Sequence, residues 1–280
     1  MSAVRISAAS TAFLIALAAA DAGAQQITIG ASPLRSDLEA TAGSETTQPI
    51  RISNGGDDRV QMRASIADWT LTPAGDSVYL KPGGTTWGCG PWLTLSPREF
   101  ELAPRSFQLV RYSMKVPPET KEGGYHCVVL LETLPPPKEK LQNVASVVNL
   151  IRVASTIYVT VGKPSIVAKI ESLKLAPGVR DGKTVWEIAT RFLNEGTTQY
   201  RVNGTAEISR LGEGSEAAAV RKLEFPGGPV LPGVPRTYLL AVEDALPPGR
   251  YLVRAEVDVG LKEKLVAETR VTIEGGGARE

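Results

Sequence analysis

The chain has 280 residues, enough for two ordinary domains, and its 42% hydrophobic and 22% charged residues are typical of a globular protein. Its formal net charge is +1, and the sequence has no basic block, which argues against binding to nucleic acid. One histidine and two cysteines are too few for a zinc site built from these ligands, so we expect neither a metal nor a cofactor.

The N-terminal residues have the features of a cleaved secretory signal. Arg5 supplies a positive charge, residues 8–20 form an apolar run, and Ala22-Gly23-Ala24 gives the small-residue pattern that precedes a cleavage site. The run is shorter than the roughly 20 residues of a membrane span. We expect residues 1–24 to be removed and the mature chain to begin at Gln25, outside the cytoplasm and without a transmembrane segment. A buried N-terminal helix is the alternative.

Strand patterns dominate the first half after the signal. Apolar and polar residues alternate along short segments, and the segments are separated by Gly, Pro, Asn and Asp. The predicted strands include residues 47–54, 60–66, 110–116, 125–131 and a long apolar segment over 144–161. The last segment ends at Gly162-Lys163-Pro164, where proline interrupts sheet pairing, and this is the predicted domain boundary.

The alternating pattern restarts beyond the boundary. Predicted strands there include residues 186–192, 251–259 and 265–273. Each half offers about seven short strands, the number in an immunoglobulin-like sandwich. We therefore predict an all-β protein with two immunoglobulin-like β-sandwich domains in tandem. Their predicted limits are 25–162 and 163–275, followed by a flexible tail over 276–280.

The two halves also look like a loose internal repeat. Each has an early strand that ends in asparagine, Asn54 in the first half and Asn194 in the second. Each has a proline pair shortly before a late strand that contains tyrosine, Tyr125 and Tyr251. These shared features predict that the two domains are built alike.

The two cysteines pose a choice between a reactive group and a scaffold. Cys89 lies close to Trp92 in the sequence and could be a thiol in an aromatic pocket. Cys127 shares an inward strand face with Tyr125 and Val129, because alternate residues of a strand point the same way. An even number of cysteines in an oxidising compartment favours a disulfide. We predict a Cys89–Cys127 bond, which would stabilise the fold by about 3–4 kcal/mol.

Catalytic constellations are weak in this sequence. His126 is next to Cys127 on one strand, so their side chains point to opposite faces and cannot act together. We expect His126 to be an exposed strand residue. Glu99 and Glu101 lie two residues apart on one face of a strand, where we expect them to be solvated. The sequence therefore predicts that the protein is not an enzyme and has no catalytic residues.

Several short motifs in the first half resemble a known family. They are Ser32-Pro33-Leu34-Arg35, Ile50-Arg51-Ile52-Ser53-Asn54, Trp92-Leu93-Thr94-Leu95-Ser96-Pro97, Phe100-Glu101-Leu102-Ala103-Pro104, Leu109-Val110-Arg111, Gly124-Tyr125 and the closing Gly162-Lys163-Pro164. Over residues 27–162 the sequence resembles the N-terminal domain of periplasmic pilus-assembly chaperones of the PapD type. The resemblance implies a periplasmic protein whose partner is a subunit of a pilus or surface fibre, in a pathway with an outer-membrane usher.

The resemblance also implies a binding mode. Such chaperones add their seventh strand to the sheet of an incomplete subunit, so that backbone hydrogen bonds give affinity and alternate side chains fill the subunit's groove. The segment Val147-Val148-Asn149-Leu150-Ile151 is apolar on both faces and fits this role. Its outward pair is either Val148 with Leu150 or Val147 with Ile151, and the family alignment favours the first. An ordinary strand buried on both sides is the alternative.

Family members clamp the subunit's terminal carboxylate with two basic residues, and this chain matches only one of them clearly. Arg35 corresponds to the residue near the first strand. The alignment places Ile157 at the second position, and Arg152, five residues earlier, is the candidate replacement. The missing anchor keeps a second hypothesis open, that the chain is a secreted or envelope adhesion or scaffold module without chaperone activity.

Overall fold

The computed structural model describes residues 28–135, 150–212, 217–243 and 246–274. The expected signal peptide, Val147, Val148 and the C-terminal tail lie outside these residues. The described residues form 19 β-strands and one short 3-10 helix, so the prediction of an all-β fold is confirmed. No helix within these four ranges is long and apolar enough to cross a membrane.

Strands β1 to β10 form the first sandwich. They are β1 (Ile29–Ser32), β2 (Arg35–Ala40), β3 (Glu45–Asn54), β4 (Val60–Leu71), β5 (Ser77–Leu80), β6 (Leu93–Ser96), β7 (Glu99–Leu102), β8 (Phe107–Lys115), β9 (Gly123–Thr133) and β10 (Arg152–Val161), with the 3-10 helix Gly90–Trp92 before β6. One sheet has the order β1-β3-β8-β6. The other has the order β2-β10-β9-β4-β5, with β7 also paired to β4. Two facing sheets of this kind make an immunoglobulin-like sandwich.

The first core lies between these two sheets. Along β8, Val110, Tyr112 and Met114 are fully buried, whereas Arg111 between them is exposed. Strand β9 supplies Val129 and its neighbours from the opposite sheet. The alternation predicted from the sequence therefore places the correct residues in the core.

A disulfide joins this core to the loop before β6. Cys89 and Cys127 are bonded and both are fully buried, which confirms the predicted pair and excludes a reactive thiol. The ring of Trp92 packs against Tyr125, with centroids 4.5 Å apart. The cysteine-containing segment is therefore scaffold.

A buried carboxylate, which the sequence did not reveal, fixes the same loop. Asp68 on β4 is fully buried and accepts backbone N–H groups from Gly83, Gly84 and Gly90 at 2.6, 3.0 and 2.8 Å. A Cβ atom at Gly88 would lie 2.2 Å from the Asp68 carboxylate, so this close approach requires glycine.

Strands β11 to β19 form the second sandwich. They are β11 (Ala168–Arg180), β12 (Lys183–Asn194), β13 (Tyr200–Arg201), β14 (Asn203–Leu211), β15 (Ala217–Glu224), β16 (Pro229–Val230), β17 (Arg236–Val242), β18 (Gly249–Asp258) and β19 (Leu265–Ile273). The two main sheets have the orders β11-β12-β17 and β15-β14-β18-β19, and β13 pairs with β16. Phe192, Phe225 and Tyr238 meet in the core, with each pair of ring centroids 5.6 Å apart. The prediction of two sandwiches in tandem is confirmed.

Each sandwich contains the same asparagine turn. Asn54 ends β3 and is 2% exposed, and Asn194 ends β12 and is fully buried. Each amide oxygen accepts the N–H of the glycine two residues later, at 3.0 and 2.9 Å. Each amide nitrogen donates to the carbonyl four residues later, Asp58 at 2.6 Å and Thr198 at 2.8 Å. The internal repeat therefore has a physical basis in two equivalent buried amides.

A tyrosine at the start of a late strand repeats in the same way. The hydroxyl of Tyr125 donates to the carbonyl of Lys121 at 2.9 Å, and that of Tyr251 donates to the carbonyl of Pro247 at 2.6 Å. Both bonds span four residues, the arrangement called a tyrosine corner in immunoglobulin-like domains.

The two sandwiches are in contact. Residues 162–167 connect β10 to β11, and the expected domain boundary falls in this connection. The N–H of Gly124 donates to the carbonyl of Thr197 at 2.8 Å, and the N–H of Thr237 donates to the carbonyl of Pro73 at 2.7 Å. Backbone hydrogen bonds therefore tie the sandwiches together at two places.

An apolar contact accompanies these bonds. Leu231 of the second sandwich is almost fully buried against Trp69, Val128 and Tyr158 on the outer face of the first. Val234 packs beside it. The outer face of the β2-β10-β9-β4-β5 sheet is therefore covered in part by the second sandwich.

Candidate functional site: the free edge of β10 and the adjoining arginines

In the part of the chain that the structure describes, the first half of β10 has a strand neighbour on one side only. Residues 152–161 all pair with β9, but pairing with β2 begins at Thr156. The carbonyl of Ile151 accepts the N–H of Thr133 in β9, so the alternate residues Arg152 and Ala154 direct their backbone groups to the opposite side. Within the described residues no strand pairs with that side between 152 and 155. Among the described residues, the backbone edge at Arg152 and Ala154 is therefore unpaired, and an unpaired edge is a template for a partner strand.

The side chains before this edge divide between two faces. Leu150 is 62% exposed, whereas Ile151 is half-buried. Further along, Val153 packs against the first core and Ala154 packs against the apolar cluster around Trp69. Leu150 is therefore an apolar side chain that the described part of the fold leaves largely in solvent.

Arg35 lies beside the point where this edge closes. It is on β2 opposite Thr156, and its guanidinium stacks 4.4 Å from the ring centroid of Tyr158. Its Nε and Nη2 donate to the two carboxylate oxygens of Asp37 at 2.7 and 2.6 Å. These bonds lower the pKa of Asp37 and raise that of Arg35. The structure therefore shows Arg35 already holding a carboxylate in the bidentate way that suits a guanidinium.

Arg152 is not brought to Arg35. It lies four residues from the Arg35 partner Thr156, about 13 Å along an extended strand. Its side chain is exposed and forms an ion pair with Glu132 on β9. The two candidate anchors are therefore separate positions along one edge.

The position aligned with the second basic anchor faces the wrong way. Ile157 is fully buried in the first core, whereas Tyr158 is on the opposite face, beside Arg35. A charged residue at 157 would therefore be desolvated inside the sandwich and could not reach a partner.

Sequence reasoning missed a second arginine near this site. Arg201 of β13, in the second sandwich, is exposed, and its charge lowers the pKa of Asp37. It also counters the effect of burial, which raises the pKa of both Tyr158 and Tyr238. Because Arg201 approaches only through the packing of one sandwich on the other, no pattern along the chain could have identified it.

The expectation that His126 is an exposed strand residue is wrong. It is 2% exposed because Trp69 packs on it, with centroids 5.0 Å apart, and the second sandwich lies nearby. Its Nε2 is 3.0 Å from the carbonyl oxygen of Trp69. Burial lowers the pKa of His126 to about 4, so the ring is neutral at pH 7. By contrast, Glu99 and Glu101 are exposed and paired with Arg63 and Arg59, as a solvated strand face requires.

A cleft of about 630 Å³ lies at the joint between the sandwiches. Thr85, Trp87 and His126 line it from the first sandwich, and Leu193 and Val234 line it from the second. The His126 Nδ1 atom has no hydrogen-bond partner among the described residues. The described residues contain no cluster of three or more histidine, cysteine or acidic side chains that could hold a metal ion.

Comparison with known proteins gives structural similarity only. No family model and no curated sequence matches this chain. The class 5 fimbriae chaperone CfaA is 14% identical with a TM-score of 0.47, over 86% of this chain and 98% of its own. A chain of the CsuC–CsuE chaperone–tip adhesion subunit complex from Acinetobacter baumannii is 12% identical with a TM-score of 0.42. The match covers 80% of this chain and 92% of that chain. The CupB2 chaperone of Pseudomonas aeruginosa is 13% identical with a TM-score of 0.39, over 85% of this chain and 97% of its own.

Proposed function

We propose that this protein is a non-catalytic periplasmic chaperone that binds a subunit of a pilus or surface fibre by strand addition along β10. The observation that supports the proposal most directly is the edge from Arg152 to Ala154, which no described strand pairs with, preceded by the exposed Leu150. Binding there would shield the subunit's own unpaired sheet edge until assembly. The family motifs in the first sandwich point to the same partner class.

The backbone supplies the affinity in this mode. Arg152 and Ala154 each offer one N–H and one C=O to a neighbouring strand, and each hydrogen bond contributes about 1 kcal/mol net. An edge this short gives weak binding alone. We propose that the preceding residues, from Val147 onward, extend it.

The side chains supply the fit. Because alternate residues share a face, Val148 would lie on the same side as the exposed Leu150 if the strand continues backward. Val147 and Ile151 would then face the protein's own core. We propose Val148 and Leu150 as the pair that enters the subunit, with Val147 and Ile151 as their support.

The proposed roles of Arg35 and Arg152 follow from where these two arginines lie. We propose Arg35 as the residue that binds the subunit's terminal carboxylate, because its guanidinium already binds one. Arg152 would act further along the edge, beside its partner Glu132. We also retain 25–162 and 163–275 as the proposed domains.

The test separates edge pairing from general stability. Ala154→Pro removes one outward N–H without touching the β9 ladder, and Ala154→Ser is the matched control. The variants are co-expressed with a candidate pilus or fibre subunit from the same genome, and capture is measured by co-purification from the periplasm. We expect Ala154→Pro to reduce capture at least fivefold and Ala154→Ser to leave it unchanged. Val148→Glu with Leu150→Glu should abolish it while the monomer stays folded.

The same measurements distinguish the chaperone function from the alternative, an envelope adhesion or scaffold module. Capture of no subunit by the wild-type chain, or equal capture by wild type and the double glutamate variant, would refute the proposal. A stable complex with cell-wall material in place of a subunit would instead support an envelope adhesion or scaffold module.

A further inference from the structure

The carboxylate-binding fork of Arg35 is occupied in the protein on its own. Resting on the proposed function, in which Arg35 anchors a partner's carboxylate, we propose that Asp37 is an internal competitor for that anchor. The partner's carboxylate must displace Asp37, so the site is self-occupied until a subunit arrives.

The local geometry permits the exchange. Arg35 and Asp37 are two residues apart on one strand, so their side chains lie on the same outer face. The Asp37 side chain is 60% exposed and can rotate into solvent. Arg35 is held independently by the ring of Tyr158, so its guanidinium stays in place when Asp37 leaves.

The charges favour a second carboxylate. Arg35 and Arg201 bring two positive charges to the joint, and Asp37 brings one negative charge. Arg201 forms no ion pair within 4 Å among the described residues, so the group has one uncompensated positive charge. An incoming carboxylate would balance it.

The competition should be modest in size. An exposed ion pair between neighbouring side chains is worth less than about 1 kcal/mol, which corresponds to a factor of about five in affinity. Removing Asp37 should therefore strengthen carboxylate binding by up to about fivefold. The same argument predicts that a lone carboxylate binds weakly to the wild-type chain.

The probe is acetate, which is titrated into the full mature chain. The readout is the NMR chemical shift of the Arg35 Nε–H group. Asp37→Asn removes the competitor while preserving the shape of the side chain. Glu39→Gln is the matched control, because it removes one charge from the same exposed face of β2 without an ion pair to Arg35. We expect Asp37→Asn to reach half-saturation at a lower acetate concentration than wild type, by up to about fivefold, and Glu39→Gln to titrate like wild type.

Two results would overturn the inference. Equal titration of Asp37→Asn and wild type would show that Asp37 does not compete. An equal gain in Glu39→Gln would show a general effect of charge. Stronger acetate binding by Asp37→Asn without subunit capture would support the competition and refute the proposed function. Subunit capture by the wild-type chain, with identical acetate titrations of Asp37→Asn and wild type, would support the proposed function and refute the competition.

Discussion

The two sandwiches share their internal hydrogen bonds but differ in how they are secured. Asn54 and Asn194 make equivalent turns, and Tyr125 and Tyr251 make equivalent corners. Only the first sandwich also has a disulfide among the described residues. The shared bonds define a common frame, and the disulfide adds a constraint that belongs to the first sandwich.

The extra constraints of the first sandwich lie beside the joint. The disulfide and Asp68 fix the loop that contains Trp87, and Trp87 lines the cleft. The residue after the corner tyrosine is His126 in the first sandwich and Leu252 in the second. His126 is buried by the joint, whereas Leu252 is half-buried. The first sandwich is therefore specialised on the face that meets the second.

The largest expected effect tests the disulfide. Cys89→Ala with Cys127→Ala should destabilise the first sandwich by about 3–4 kcal/mol, because the open loop regains chain entropy when unfolded. Hydrogen exchange measured by mass spectrometry reports each sandwich separately. Peptides from β8 and β9 should exchange faster, and peptides from β14 and β18 should not change. Equal acceleration in both sandwiches would show that they unfold as one unit.

The second effect tests the buried histidine. Because the folded pKa of His126 is about 4 and the unfolded value is about 6.5, the neutral ring is favoured in the folded state. Its stabilising effect is complete above pH 6.5 and is lost as the pH falls toward 4. The loss should approach about 3 kcal/mol below pH 4.

The matched variant is His126→Gln, which can still donate to the Trp69 carbonyl but does not titrate. Urea unfolding from pH 7.5 to 4 should show a smaller fall in stability for this variant than for wild type. An identical pH dependence of the two proteins would mean that His126 is not the group responsible.

The sequence was a good guide wherever one strand face is buried within its own sandwich. Val110, Tyr112 and Met114 alternate because one face of β8 meets the core, and that period is visible along the chain. The disulfide followed from the inward face of Cys127. The paired turns followed from Asn54 and Asn194, whose position at strand ends is also local.

The remaining features depend on packing between sandwiches, which leaves no period in the sequence. His126 has the polarity of an exposed residue, and only the contact with Trp69 and the joint buries it. Arg201 reaches the Arg35 site from a different domain. Ile157 shows the importance of register along a strand. Its side chain is in the core, whereas that of the next residue, Tyr158, is on the opposite face beside Arg35, because a shift of one residue changes the face.

The smallest effect tests whether the two frames are equivalent. Tyr125→Phe and Tyr251→Phe each remove one hydroxyl from a corner, and each lost hydrogen bond should cost about 1 kcal/mol. Hydrogen exchange should show the loss only in the sandwich that carries the change. Tyr125 also packs against Trp87 and Trp92, contacts that phenylalanine keeps, so the two variants should match within about 0.5 kcal/mol. A much larger effect of Tyr125→Phe would mean that this corner also positions the loop beside the joint, and that the shared frame is not independent of the specialised face.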